Sequence, residues 1–204
     1  MSVWFVPRDA AARSMGADAV AAALEARGET VVRNGSRGML WMEPLVERAD
    51  ERHGPRVGWR NMTADAIHLA LPNDQSEQYV GAVDELDYLA RQNRWIYERV
   101  GITDPLDPDD HVAHGGLAGL KNALAMSGNA VVQAVTDSGL RGRGGAGFPA
   151  GIKWRTVADQ TPQPHAGESP SADRHKDICV NADEGDSGTF ADRMLMEGDP
   201  FCLL

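Results

Sequence analysis

Val3, Trp4, Phe5 and Val6 form an unbroken apolar run stopped by Pro7, the pattern of a short buried strand. Asp9 stands where a helix N-cap belongs, and residues 10–27, rich in Ala, Leu and Glu, predict a helix ended at Gly28. Residues 30–33 predict a second strand. After the turn chemistry of Asn34-Gly35-Ser36-Arg37-Gly38, residues 39–42 predict a third, ended by Pro44. Strand, helix and strand in so short a span open an α/β unit.

Further along, Val57-Gly58-Trp59 predicts a short strand, and Thr63 caps a helix running to Ala70 before Leu71-Pro72. Residues 84–100 predict a helix on the spacing of Leu86, Leu89, Ile96 and Val100. A Pro/Asp linker at 104–110 leads into a helix over 111–126, where Leu117, Leu120 and Leu124 share a face and Gly115-Gly116 interrupts it. Residues 129–136 predict another helix, 177–180 a strand and 189–197 a last helix. Residues 159–175 are polar, Pro-rich and without periodicity, and predict a surface loop. His165 and His175 lie in it with no thiol nearby; they are expected to be solvated, and no metal-ligand set is assigned.

Composition narrows the function. Thirty acidic residues against 20 Lys+Arg give a net charge of -10, which argues against a nucleic-acid binder. The excess is concentrated in the middle: residues 61–137 hold 12 acidic and 4 basic side chains. That stretch suits a solvated helical surface or a docking face for a basic partner. No apolar run approaches the roughly 18 residues that span a bilayer, and the N-terminus lacks a secretory layout, so no membrane insertion and a cytoplasmic location are expected. Cys179 and Cys202 cannot build a disulfide scaffold and are expected to be small core residues.

Two segments carry candidate chemistry. In 138–154, SGLRGRGGAGFPAGIKW, Gly142, Gly144, Gly145, Gly147 and Gly151 crowd together beside Arg143 and Lys153. Such a run lets successive backbone N–H groups surround an anion, and a phosphate-bearing ligand is the natural occupant. Gly142, Gly144 and Gly147 also match G-x-G-x-x-G literally, but that fingerprint needs a strand immediately before it and the preceding residues have helical spacing. The phosphate-loop pattern G-x-x-x-x-G-K-[ST] is absent, and a single Arg-Gly cluster in an acidic chain is no RNA-binding tract. In 181–193, NADEGDSGTFADR, the residues Asn181, Asp183, Glu184 and Asp186 suit sugar or ribityl hydroxyls. Mg²⁺ binding and a cap for the following helix are the rival uses.

Together the two segments resemble the FMN- and NADH-binding subunit of respiratory complex I and the diaphorase subunits of soluble NAD-linked hydrogenases and formate dehydrogenases. The upstream stretches VWFVPRDAAA and HGGLAGLKNALAM resemble the β subunit of cytoplasmic, molybdenum-dependent, NAD-dependent formate dehydrogenases. The resemblance implies an α/β chain in three parts. These are a thioredoxin-like domain over 1–80, a helical connector over 81–137, and the first half of an FMN-binding α/β domain over 138–204. It implies that the backbone of Gly142, Arg143, Gly144 and Gly145, with Lys153, cradles FMN. Asn181, Asp183 and Glu184 would hold the ribityl chain and ring, while Phe148 and Asp186 would meet NADH. Thr156 stands where many relatives have a second aromatic, and Asp186 where many have Glu.

Hydride transfer between NAD(H) and FMN, then electron passage to iron–sulfur clusters, is the implied activity, with no side chain acting as acid or base. The implied partners are iron–sulfur and molybdenum-containing subunits. Residues 1–137 hold no cysteine, so the thioredoxin-like part is expected to be degenerate, with neither dithiol chemistry nor a thiolate-held cluster. The family's [4Fe–4S] site is expected in a C-terminal region beyond this chain, read as the N-terminal piece of a longer protein. The alternative is a non-catalytic assembly module that docks to partner subunits and binds no flavin.

Overall fold

The computed structural model describes residues 2–160, 176–186 and 188–203 and divides the chain into two compact units. Unit 1 is Met1–Gly116 with Ala182–Leu204; unit 2 is Leu117–Asn181. The loop reading of 159–175, with His165 and His175, lies almost wholly outside the described residues.

Unit 1 is built on strand β1 (Val3–Phe5), whose alternation sends Trp4 to one face of the sheet and Phe5 to the other. Asp9 caps helix α1 (Ala10–Ser14), its carboxylate accepting from the backbone N–H groups of Ala11 and Ala12. The single helix expected over 10–27 is two: Gly16, at φ 97°, turns the chain before helix α2 (Ala17–Ala26). Strand β2 (Thr30–Val32) pairs parallel with β1, as expected.

The third strand is not where the apolar run 39–42 placed it. Leu40–Met42 is a 3₁₀ turn, with Met39 fully buried and Trp41 exposed. The strand is β3 (Val46–Ala49), antiparallel to β1. Its sequence Val-Glu-Arg-Ala conceals its burial because the charges are neutralised by tertiary partners. Glu47 takes Arg37 Nη2 at 2.8 Å and Arg56 Nη1 at 3.2 Å, all three side chains nearly inaccessible. Arg48 lies over the rings of Trp4 and Trp59. Strand β4 (Val57–Trp59) follows as expected. Helix α3 (Ala64–Leu69) is capped by the Thr63 hydroxyl, which accepts from Ala66 N–H. Strand β5 (Tyr79–Ala82), which no sequence pattern announced, completes the mixed five-stranded sheet in the order β2-β1-β3-β4-β5.

The main core lies on the Trp4 face, where Val46 and Trp59 pack against Val20 and Leu24 of α2 and Ile67 of α3. The opposite face carries Phe5, Val32 and Ala49. Arg56 stacks over Phe5, its guanidinium carbon 3.4 Å from the ring centroid. Burial disfavours charge on both arginines. Beside Glu47 and Asp84 the Arg37 guanidinium is nonetheless held above its ordinary range, whereas burial prevails at Arg56 and lowers it.

Residues 84–100 do not form the expected helix. Only helix α4 (Asp87–Ala90) appears, with a 3₁₀ turn at Val83–Glu85 before it. Leu86 and Leu89 face a small core, but Trp95 and Ile96 are exposed, so the apolar positions make no continuous face. The helix expected over 111–126 begins earlier and is broken in two. Asp107 caps helix α5 (Pro108–Ala113), and helix α6 (Ala118–Leu124) follows Gly115-Gly116 in unit 2.

Unit 2 continues with helices α7 (Gly128–Asp137) and α8 (Ala150–Asp159). Among the described residues the strand expected over 177–180 does not form: none of the five strands includes them. Ala182–Leu204 returns to unit 1, where helix α9 spans Ala191–Gly198, two residues later than expected. Cys179 and Cys202 are exposed rather than buried, the second in the 3₁₀ turn Pro200–Cys202.

Candidate functional site

The Gly-rich segment sits between the two paired helices of unit 2. Ser127 caps α7, its hydroxyl accepting from Ala130 N–H. The chain leaves α7 at Gly139 and closes a narrow loop: Gly142 N–H donates to Phe148 O at 2.8 Å and Ala150 N–H to Leu140 O at 2.8 Å. An isolated antiparallel bridge pairs Arg141 with Pro149. No strand precedes the loop, so the dinucleotide fingerprint lacks its required context.

Within the loop Gly145 has φ 103° and Gly147 φ 59°, conformations that expose N–H groups and disfavour side chains. Arg143, Gly144 and Gly145 are exposed. The loop ends at the N-terminus of α8, where orphan N–H groups and the helix dipole favour an anion. Lys153, one turn into α8, brings Nζ to 3.9 Å from the position a Cβ on Gly142 would take, and 6.0 Å from the Phe148 ring centroid. Phe148 itself is half exposed. Gly142, Arg143, Gly144, Gly145, Phe148 and Lys153 thus share one loop and one helical turn, an exposed glycine loop with cations and an aromatic ring.

What holds this loop is the close approach of α8 to α7. A Cβ at Gly151 would lie 2.6 Å from Thr136 Cα and would also strike the Thr136 hydroxyl. Arg155 Nη1 donates to Asn129 Oδ1 at 2.8 Å across the same pair of helices. Lys176 closes the far end of α8, donating to the carbonyls of Val157 and Ala158.

The acidic segment falls on both sides of the unit boundary. Asn181 ends unit 2, while Asp183, Glu184 and Asp186 belong to unit 1. Glu184 serves α9 directly: its carboxylate accepts from Asp192 N–H at 3.1 Å and Arg193 N–H at 3.3 Å. Of the uses open to these acids, the helix cap is thus realised by Glu184. The Asp186 carbonyl accepts from Thr189 N–H in the turn before α9. Arg193 stacks over Phe190, 4.6 Å from the ring centroid. Beside it unit 1 carries a groove of about 420 Å³ lined by Tyr88, Arg94, Tyr97, Phe190 and Met194. Its walls come from stretches far apart in sequence, so no local pattern announced it.

Residues 135–204 match the Nuo51 FMN-binding domain. Among individual proteins, an NADH-quinone oxidoreductase subunit of Rhizobium meliloti (strain 1021) is 45% identical over 115 residues, 53% of this chain and 25% of the relative. NADP-reducing hydrogenase subunit HndC of Solidesulfovibrio fructosivorans is 44% identical over 114 residues, 56% of this chain and 21% of the relative. The chain therefore spans about a quarter of the length of these relatives. A chain of an NAD⁺-reducing [NiFe]-hydrogenase superposes at a TM-score of 0.33 and 24% identity, over 98% of this chain and 33% of that one. That likeness is too slight to say anything of fold. None of the helices among the described residues is long and apolar enough to cross a membrane.

Proposed function

We propose that this chain is part of the flavoprotein subunit of a multi-subunit, NAD-linked dehydrogenase and binds FMN and NAD(H). The observation that carries the reading is the loop 142–148. It is pinned at its ends, opens its N–H groups through glycines, stands beside Lys153 at the start of α8, and lies inside the segment that matches the Nuo51 FMN-binding domain. A flavin phosphate fits that chemistry, because N–H donors and a lysine cation meet an anion at a helix N-terminus. Gly142, Arg143, Gly144, Gly145 and Lys153 would hold the phosphate. Asn181, Asp183 and Glu184 would hold the ribityl chain and ring, and Phe148 and Asp186 would meet the nicotinamide nucleotide. When bound, FMN supplies the redox chemistry, exchanging a hydride with NAD(H) and single electrons with an iron–sulfur cluster. This chain's residues then bind and orient; none is required to move a proton.

The finer reading is the β subunit of an NAD-dependent formate dehydrogenase in the cytoplasm, with iron–sulfur and molybdenum-containing subunits as partners. The upstream stretches VWFVPRDAAA and HGGLAGLKNALAM support it. A thioredoxin-like N-terminal domain without redox cysteines is supported by the sheet: β1 and β2 parallel, β3 and β4 added antiparallel in turn. In this reading residues 1–80 are that domain, 81–137 the connector and 138–204 the FMN-domain segment.

The test is a titration of the purified chain with FMN, followed by quenching of flavin fluorescence, with Lys153→Ala and Asp183→Ala beside it. Saturable binding weakened at least tenfold by each substitution is the expected result. A well-folded chain that leaves flavin fluorescence unchanged would overturn the flavin reading for this chain and favour the assembly module.

A further inference from the structure

We propose that His53, Asp110 and His114 of unit 1 bind a divalent transition-metal ion of the zinc class, tying the turn after β3 to helix α5. One ligand atom from each of the three residues lies within 4.8 Å of the others. Two imidazole nitrogens and one carboxylate oxygen form a borderline donor set that suits zinc and its neighbours, with a fourth position left for water. Asp110 and His114 stand one helical turn apart, and His53 comes from a turn more than fifty residues earlier, so the full set left no spacing signature.

The supporting geometry prepares the ligands. His114, the residue that closes α5, places Nδ1 2.8 Å from the backbone carbonyl of Asp110 one turn earlier. That bond puts the ring proton on Nδ1 and the lone pair on Nε2, the arrangement in which metal-binding histidines are usually held. Asp110 is nearly buried, and its Oδ2 is fixed by Asp104 N–H at 2.8 Å and Arg52 Nη2 at 3.3 Å. Its Oδ1 lies 3.5 Å from His114 Nδ1, the protonated nitrogen, so the ring turns for Nε2 and Oδ1 to meet one ion.

His53 occupies the turn between β3 and β4 and is exposed, with room to move. Its ring meets that of His114 edge-on, the centroids 4.8 Å apart. Ligand atoms around a tetrahedral zinc ion stand roughly 3.5 Å apart, given bond lengths of about 2.1 Å. Binding therefore draws His53 inward by about 1 Å, a rotamer adjustment of an exposed side chain. Arg52 neutralises part of the carboxylate, which points to micromolar rather than nanomolar affinity.

Packing of two imidazole rings is the competing explanation for the cluster, and phenylalanine separates the two, since it keeps a ring and removes the donor. Zn²⁺ binding to the purified protein is measured by competition with a chromophoric chelator, and thermal unfolding is followed with and without Zn²⁺. One equivalent bound at micromolar concentration, with a rise in Tm, is expected. His53→Phe and His114→Phe should each weaken binding at least tenfold and abolish the Tm rise, while His165→Ala/His175→Ala keeps both. No stoichiometric binding, binding unchanged in both phenylalanine variants, or binding lost in the His165/His175 variant would each overturn the site.

Discussion

Arg99 Nε and Asp199 Oδ2 stand 2.9 Å apart, joining a turn before α5 to the residue that closes α9. The aspartate is almost wholly buried, and its other oxygen lies 3.3 Å from His111 Nδ1 without hydrogen-bond geometry. Removing the arginine therefore strands a buried carboxylate. Arg99→Ala is expected to lower the stability of unit 1 by about 3 kcal/mol. Urea unfolding followed through the buried Trp4 and Trp59 measures it, and Arg99→Ala/Asp199→Asn should recover a large part of the loss. A single-variant loss below about 1 kcal/mol would show that the pair does not hold the segment.

Glu43 gives a pH dependence. Its Oε2 accepts from Leu45 N–H at 2.8 Å, while its buried Oε1 has no partner. Burial raises the carboxyl to about 8, the Leu45 N–H opposing and the charges of Asp9 and Glu47 adding to it. The folded state thus holds a proton that the unfolded state releases near pH 4.5. Between those values the native state binds more protons, so this group's contribution to stability is complete below about 4.5 and falls as pH rises to about 8. The slope approaches about 1.4 kcal/mol per pH unit mid-range. Glu43→Gln should flatten that decline and make the protein more stable than wild type at pH 8. Thermal melts at pH 5, 6.5 and 8 check it; parallel pH profiles for the two proteins would remove the assignment.

Gly151 fixes how closely α8 lies on α7, because a methyl group there meets Thr136 backbone as well as side chain. Gly151→Ala is expected to destabilise unit 2 by about 1–3 kcal/mol. It should speed amide hydrogen exchange in α7 and α8, weaken FMN binding with Lys153 intact, and leave exchange in β1, β3 and β4 unchanged. Unaltered exchange in both helices would show that the pair tolerates the extra volume.

Local signals were legible in the sequence where the stabilising partner is also local. Asp9 and Thr63 cap the helices they were assigned, β1 and β4 are short apolar runs, and the helix at Gly128–Asp137 repeats Val131, Val132 and Val135 on one side. The errors arise where distant partners decide. Glu47 lies on an inner strand because Arg37 and Arg56 neutralise it, and nothing near it in sequence reveals them. The run 39–42 looked like a strand through composition alone, yet only Met39 is buried there. At the candidate site the glycine loop and Lys153 were visible as a motif. The capping of α9 by Glu184 was readable only as one of several uses, since carboxylates serve hydroxyls, cations and helix N-termini through the same lone pairs.

Unit 1 is also discontinuous, and synthesis makes that a matter of time. Ala10 N–H, in the first turn of α1, donates to Glu197 Oε2 across 187 positions of sequence. At about 5–20 residues per second, some ten to forty seconds separate the emergence of the two ends of that bond from the ribosome. The β1–α2–β2 core can bury Trp4 and Leu24 early, whereas the surface that receives α9 waits exposed until Asp199 is made. A chaperone that binds nascent chains would find its window there.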